Sequence, residues 1–187
     1  MRLGVALAVV GPLLAGCTLS AQSEPERVVV STAAQGGAAS GASNESGVPL
    51  SMQVYLVRGN RLERVTRVVP PGTGLEPALR ALAAPVSAGE LAAGLRTALP
   101  ATSRSLGGTM GDPHTADVAV PVGYDRLSLG EQQLAMAQIV FTVTADTLAD
   151  RVRLVSGSRP VAVPVAHGDL VTRPVSRQDY AVVGPTR

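Results

Sequence analysis

Apolar and polar positions divide the chain into a long apolar start, a polar stretch poor in large side chains, and a segment from residue 49 that alternates between strand and helix periods. Residues 52–57 are rich in β-formers, and Gly59-Asn60 is a two-residue turn signal. Residues 62–69 read as the partner strand, stopped by Pro70-Pro71. The pattern predicts a helix over 73–84, with Leu75, Leu79 and Leu82 on one face and Pro77 in the first turn, where its missing N–H costs little. Ser87 with Glu90 is a capping box that opens a short second helix through Leu91. Strands are predicted over 104–110 and 116–122, joined by Gly111-Asp112-Pro113-His114-Thr115. Ser128 with Glu131 is a second capping box, and it opens the strongest helix, 129–143. Short strands follow over 152–155, 160–165 and 170–172. Strands mixed with two to three helices, without regular βαβ alternation, predict an α+β fold: one two-layer domain over 49–183, a mixed sheet packed with helices, and a short tail over 184–187.

At about 100° per residue, Leu129, Met136, Val140 and Val143 cluster on one side of the strongest helix. Glu131, Ala135, Gln138 and Thr142 form the opposite stripe, with Leu134, Ile139 and Phe141 between the two. The helix is therefore expected to pack on a sheet. Its polar stripe has three readings: it faces water, Gln138 satisfies a neighbouring backbone group, or Glu131, Gln138 and Thr142 touch a partner.

The start of the chain reads as an address. Arg2 gives a minimal positive region, and 3–15 is apolar but for Gly4 and the Gly11-Pro12 pair. It is too short for a bilayer core of roughly 30 Å, which takes about 20 residues. The run ends Leu14-Ala15-Gly16-Cys17, which resembles the end of a bacterial lipoprotein signal. The resemblance implies a signal peptide over 1–16, removed by cleavage before Cys17. It also implies a diacylglyceryl group on the Cys17 thiol and acylation of the new amine. Several acyl chains anchor stably, so the chain is expected on the extracytoplasmic face of a cell membrane. Residues 17–48 are then a tether: 35–47 contains no large apolar residue and cannot offset its ordering entropy by burial. Val28-Val29-Val30 is its one apolar run.

Composition narrows the chemistry. The chain has 187 residues and a formal net charge of only +2, all of its basic side chains being Arg. That is far from the concentrated charge that a nucleic-acid partner demands. With three Tyr, one Phe and no Trp, stacking platforms for bases or sugars are not expected. Cys17 is the single cysteine, which excludes an intramolecular disulfide. Asp112, His114 and Asp117 are conceivable metal ligands, but they sit in a Gly-Asp-Pro turn where Asp and Pro serve the backbone. No metal and no cofactor is expected. There is no Gly-x-Ser-x-Gly elbow, and Gly72-Thr73-Gly74 lacks the Lys of a phosphate loop. Arg58, Arg61, Arg64 and Arg67 recur every third residue. On strands that spacing alternates faces, giving either a solvated edge hairpin or a patch for anionic lipid heads or wall polymers.

Val54-Tyr55-Leu56-Val57, Leu62 and Val65-Thr66-Arg67 resemble the opening hairpin of the GerMN domain of bacterial sporulation and germination proteins and envelope lipoproteins. The resemblance continues through 78–82, Gly94-Leu95, Ala98-Leu99-Pro100 and 137–142. It ends in 152–155 and Arg177-Gln178-Asp179-Tyr180. It implies an α+β envelope domain used in assembly or interaction, with no catalytic residues to transfer. In some family members a large domain follows; this chain reaches Arg187, so the expectation covers the GerMN-like domain alone. The expected function is a non-catalytic binding or scaffolding module whose partner is another envelope protein. The alternatives are a cell-wall hydrolase and a carrier of a small apolar ligand.

Overall fold

The computed structural model describes residues 47–103 and 105–186. The predicted signal peptide, Cys17 and nearly all of the tether lie outside the described residues, as does Arg104.

An antiparallel ribbon opens the domain: β1 (Leu50–Arg58) and β2 (Arg61–Val69), paired in full register from Leu50 opposite Val69 to Arg58 opposite Arg61. Gly59 turns the chain at φ +58°, a conformation that favours glycine. Next come α1 (Glu76–Ala83) and α2 (Ala88–Ala92). Helix α1 starts three residues later than predicted because Gly74 adopts φ +63°, outside any α-helix, while Pro77 sits in the first turn as expected. The Ser87–Glu90 box closes in both directions: the Glu90 N–H donates to Ser87 Oγ at 3.2 Å, and the Ser87 N–H donates to Glu90 Oε2 at 2.7 Å.

The two-residue β3 (Leu95–Arg96), which the pattern did not reveal, pairs with Val57 and Arg58 and completes a three-stranded sheet in the order β2-β1-β3. A second sheet holds β4 (Gly108–Met110) and β5 (Thr115–Ala119), both shorter than predicted. Gly123 at φ +86° and the turn around it end the extended stretch early. Helix α3 (Leu129–Asp146) then leads to β6 (Arg151–Ser156), which runs parallel to β5. One βαβ crossover therefore lies inside an otherwise antiparallel α+β domain. Residues 160–165 are not one strand. They divide between β7 (Arg159–Pro160), on the β6 edge, and β8 (Val163–Pro164), which pairs with β9 (Leu170–Val171). Each proline removes a ladder donor, which favours short pieces.

The core gathers β1, α1, α3 and β6. Val54, Leu56 and Val57 are fully buried, as are Met136, Ile139, Val140 and Val152. Four consecutive buried residues in β1, Val54 to Val57, show that this strand is covered on both faces.

Candidate functional site

Helix α3 decides what the predicted site residues do. All ten residues from Leu134 to Val143 are buried, so the helix has no water-facing stripe over that length. Leu129, assigned to the buried face, is instead 56% exposed in the first turn. Gln138 and Thr142 are both 0% exposed, which removes them as partner contacts. The physical reason lies in β1. Strand β3 covers only its last two residues, so upstream of Val57 the β1 edge away from β2 has no ladder partner. Buried backbone polar groups must be paired, and the polar stripe of α3 runs along that edge and pairs them.

Gln138 Nε2 donates to the Tyr55 carbonyl at 2.8 Å, and its Oε1 accepts from the Ala98 N–H at 2.6 Å. One buried amide thus stitches β1 to the loop after β3. Thr142 Oγ1 accepts from the Tyr55 N–H at 3.1 Å. Asp146, one further turn along, accepts from the Gln53 N–H at 2.6 Å. It lies beyond the predicted helix end at 143; its spacing of four from Thr142, carried one turn further, is the signal that could have found it. Glu131 begins the same line. The Ser128 Oγ accepts from the Glu131 N–H as a cap, but the carboxylate does not return to the cap. It forms a two-bond fork with Arg96 of β3, at 2.9 Å each, so the second capping box is only half formed. Arg96 carried no sequence signal, because its strand is two residues long.

Arg67, on the inner side of β2, was predicted only as part of an arginine series. Its guanidinium donates to the Ala81 and Ala84 carbonyls at 2.7 and 2.9 Å, and to Glu90 at 2.7 and 3.1 Å. It neutralises the C-terminal carbonyls of α1 and ties α1 and α2 to the ribbon. The Arg67 hydrogen bond holds the Glu90 carboxyl below the usual carboxylate range, against the opposing effect of burial. Arg177 stacks over both rings of the Tyr55–Phe141 pair, 5.7 and 5.2 Å from their centroids, and donates to Thr144 and to the Phe141 carbonyl.

Two of the conceivable metal ligands share an arginine: Asp112 lies 3.9 Å from Arg153, which also binds Asp117. Asp117 takes a fork from Arg153 at 2.8 and 2.9 Å. His114, at φ +69°, faces the Leu148 carbonyl across 3.2 Å. Among the described residues no three His, Cys, Asp or Glu side chains converge as metal ligands, and no helix is long and apolar enough to cross a membrane. An apolar hollow of about 400 Å³ opens between the end of α1 and the 97–103 loop, lined by Leu82, Ala84, Pro85, Leu99 and Pro100 among others.

Comparisons with known proteins agree with this architecture. The structure of the tandem GerMN domains of the sporulation protein GerM from Bacillus subtilis superposes with a TM-score of 0.53 at 21% identity. The match covers 71% of this chain and 48% of that one, so the chain spans about half the length of the tandem structure. The first GerMN domain of the same protein matches at 19% identity and a TM-score of 0.49, over 69% of this chain and 98% of that one. No curated protein sequence matches. A family model described as "Germane: Sporulation and spore germination" matches residues 43–162, well over half of the chain. With the GerMN-type fold in place around β1 and α3, the chain belongs to the Germane (GerMN-domain) family of sporulation and spore germination.

Proposed function

We propose that this chain is an exported lipoprotein that presents its GerMN-type domain as a non-catalytic binding or scaffolding module in the cell envelope. In this reading the domain is held to the membrane through lipid on Cys17, and its partner is another envelope protein. One observation carries the anchoring: Leu14-Ala15-Gly16-Cys17 closes an apolar stretch too short to span a bilayer, and Cys17 is the only cysteine of the chain. The use of the polar side chains supports a binding role. Gln138, Thr142, Glu131, Asp117 and Glu90 are each engaged in holding the fold, so recognition falls to the outer surface of the domain.

Cys17→Ala is the direct test. In cells fed a labelled fatty acid, the wild-type chain should carry label and the variant none. Equal labelling of the two would overturn the anchoring. Crosslinking in intact cells, followed by recovery of the wild-type chain, should yield one dominant envelope protein, absent when Cys17→Ala leaves the domain unanchored.

A second reading, a carrier of a small apolar ligand, is favoured by the hollow beside Leu82 and Leu99, whose volume of about 400 Å³ is of ligand size. Native mass spectrometry of chain purified from its own cells would reveal a bound apolar molecule if this is its task.

A further inference from the structure

Strand β2 keeps its outer edge open. Gln53 and Tyr55 turn their N–H groups away from β2, toward Asp146 and Thr142, and the Tyr55 carbonyl turns to Gln138. Their partners in the register, Thr66 and Arg64, therefore form non-hydrogen-bonded pairs with β1 and direct N–H and C=O outward. The two-residue alternation of a strand adds Val68, opposite Ser51. Among the described residues, no backbone group meets the outward side of these three. The open stretch has defined ends. At Leu62 the outward N–H is taken by the Val183 carbonyl at 2.8 Å, and Pro70 has no N–H to offer. What remains between them is a short ladder of donors and acceptors, the template that strand addition uses.

The side chains along this stretch define the strand that fits it. Arg64, Thr66 and Val68 share one face, and all three are exposed, Val68 by 72%. Arg67, on the other face, is held by Glu90, and Arg58 at the turn by Glu63. Arg64 forms no ion pair among the described residues. A cation placed opposite it across a ladder is repelled, whereas a carboxylate there is favoured. Thr66 pairs best with a second hydroxyl or β-branched residue, and Val68 gains from an apolar neighbour that covers it. For so short a stretch the antiparallel arrangement is the more stable one.

We propose that the β2 edge accepts an extended acidic segment of a partner protein as an added antiparallel strand. A carboxylate lies opposite Arg64, a β-branched residue opposite Thr66 and an apolar one opposite Val68. The inference rests on the binding role proposed above and names its mode. The charge that shields the edge from unselected strands thereby becomes the group that selects the right one.

The test uses the full chain carrying Cys17→Ala, so that no acyl anchor contributes. The probe is the peptide acetyl-Ser-Val-Thr-Thr-Thr-Glu-Ser-amide, titrated into the millimolar range at low ionic strength and followed by NMR-detected amide exchange. Exchange at Arg64, Thr66 and Val68 should slow as peptide is added, while the Leu62 amide, already bonded, stays unchanged. The same peptide with Lys in place of Glu should bind about threefold or more weakly, and added salt should narrow that difference. Arg64→Glu should reverse the preference between the two peptides with an unchanged circular dichroism melt, because the side chain is exposed. Thr66→Pro, which removes one outward N–H, should abolish binding, and Arg80→Gln on α1 should leave it unaltered. No protection of these amides, equal affinity for the two peptides, or a preference untouched by Arg64→Glu would overturn the proposal. Self-association of the chain alone, lost in Thr66→Pro, would assign the edge to a second copy and overturn it as well. None of these measurements involves lipid or a cellular partner. A peptide that fails to bind while an envelope protein is still crosslinked in cells therefore refutes this mode and leaves the binding role standing.

Discussion

The β1–β2 ribbon has two long edges, and the molecule completes them in opposite ways. Along β1, every outward backbone group described above is met from within the domain: Gln53 by Asp146, Tyr55 by Thr142 and Gln138, Val57 and Arg58 by β3. Along β2, the Val183 carbonyl meets Leu62, and beyond it Arg64, Thr66 and Val68 face solvent, Val68 being 72% exposed. A buried strand edge without a full-length neighbour needs side-chain donors and acceptors at fixed positions, so polar residues enter the core. An open edge is completed by water and is guarded by charge, as Arg64 guards β2. The same polar type, a hydroxyl, thus carries opposite meanings on the two sides: Thr142 is fold-determining, and Thr66 is a surface residue.

The comparison can be broken first at the helix that covers β1. Val140 is 0% exposed at the centre of α3. Val140→Asp forfeits roughly 1.5–3 kcal/mol of burial and adds a buried, unpaired carboxylate. Against a typical total of about 5–15 kcal/mol, the variant should show no cooperative thermal transition by circular dichroism. A melt like that of the wild type would mean that α3 does not seal the β1 edge.

Gln138→Ala is the sharper probe. It leaves the Tyr55 carbonyl and the Ala98 N–H without partners in the core, and should cost about 3 kcal/mol in urea denaturation, far above the cost of a surface glutamine. A loss under about 0.5 kcal/mol would return Gln138 to the surface class.

A smaller effect belongs to Arg67 and Glu90, whose side chains are only 11% and 15% exposed. The Glu90 carboxyl titrates below its ordinary value of 4.5 in the folded chain, chiefly through the Arg67 hydrogen bond. A depressed folded value means that the contribution is present above about pH 4.5 and is lost as pH falls through the folded value. Glu90→Gln should therefore flatten the acid limb of the stability profile below that pH while leaving its shape near neutrality. An unaltered acid limb would show that the pair contributes nothing there.

The smallest change is expected on the open edge. Thr66→Ala should alter stability by less than about 0.5 kcal/mol, since its exposed hydroxyl has only one long hydrogen bond to lose, from Gln53 Nε2 at 3.4 Å. A penalty as large as that of Gln138→Ala would erase the distinction between the edges.

Much of this architecture is legible in local chemistry. The Gly59-Asn60 turn and its β-branched flanks specify the ribbon, Ser87 with Glu90 caps α2, and Ser128 starts α3, because each signal acts within a few residues of itself. The stripe Glu131, Gln138, Thr142 was equally legible, since helical period places those residues on one line. Its destination was not. Whether a polar stripe faces water, a partner or a strand edge depends on where β1 and β3 lie, contacts separated by 83 and 40 residues for Gln138 alone. Periodicity also placed Leu129 inside, although the helix leaves its first turn exposed before the buried stretch begins at Leu134. Sequence by itself determined the longer elements, their order and the family resemblance, but not the two-residue strands β3, β7 and β8. Tertiary structure alone decided which polar groups became interior, because burial obliges each one to find a partner, and only the assembled fold brings that partner within hydrogen-bonding distance.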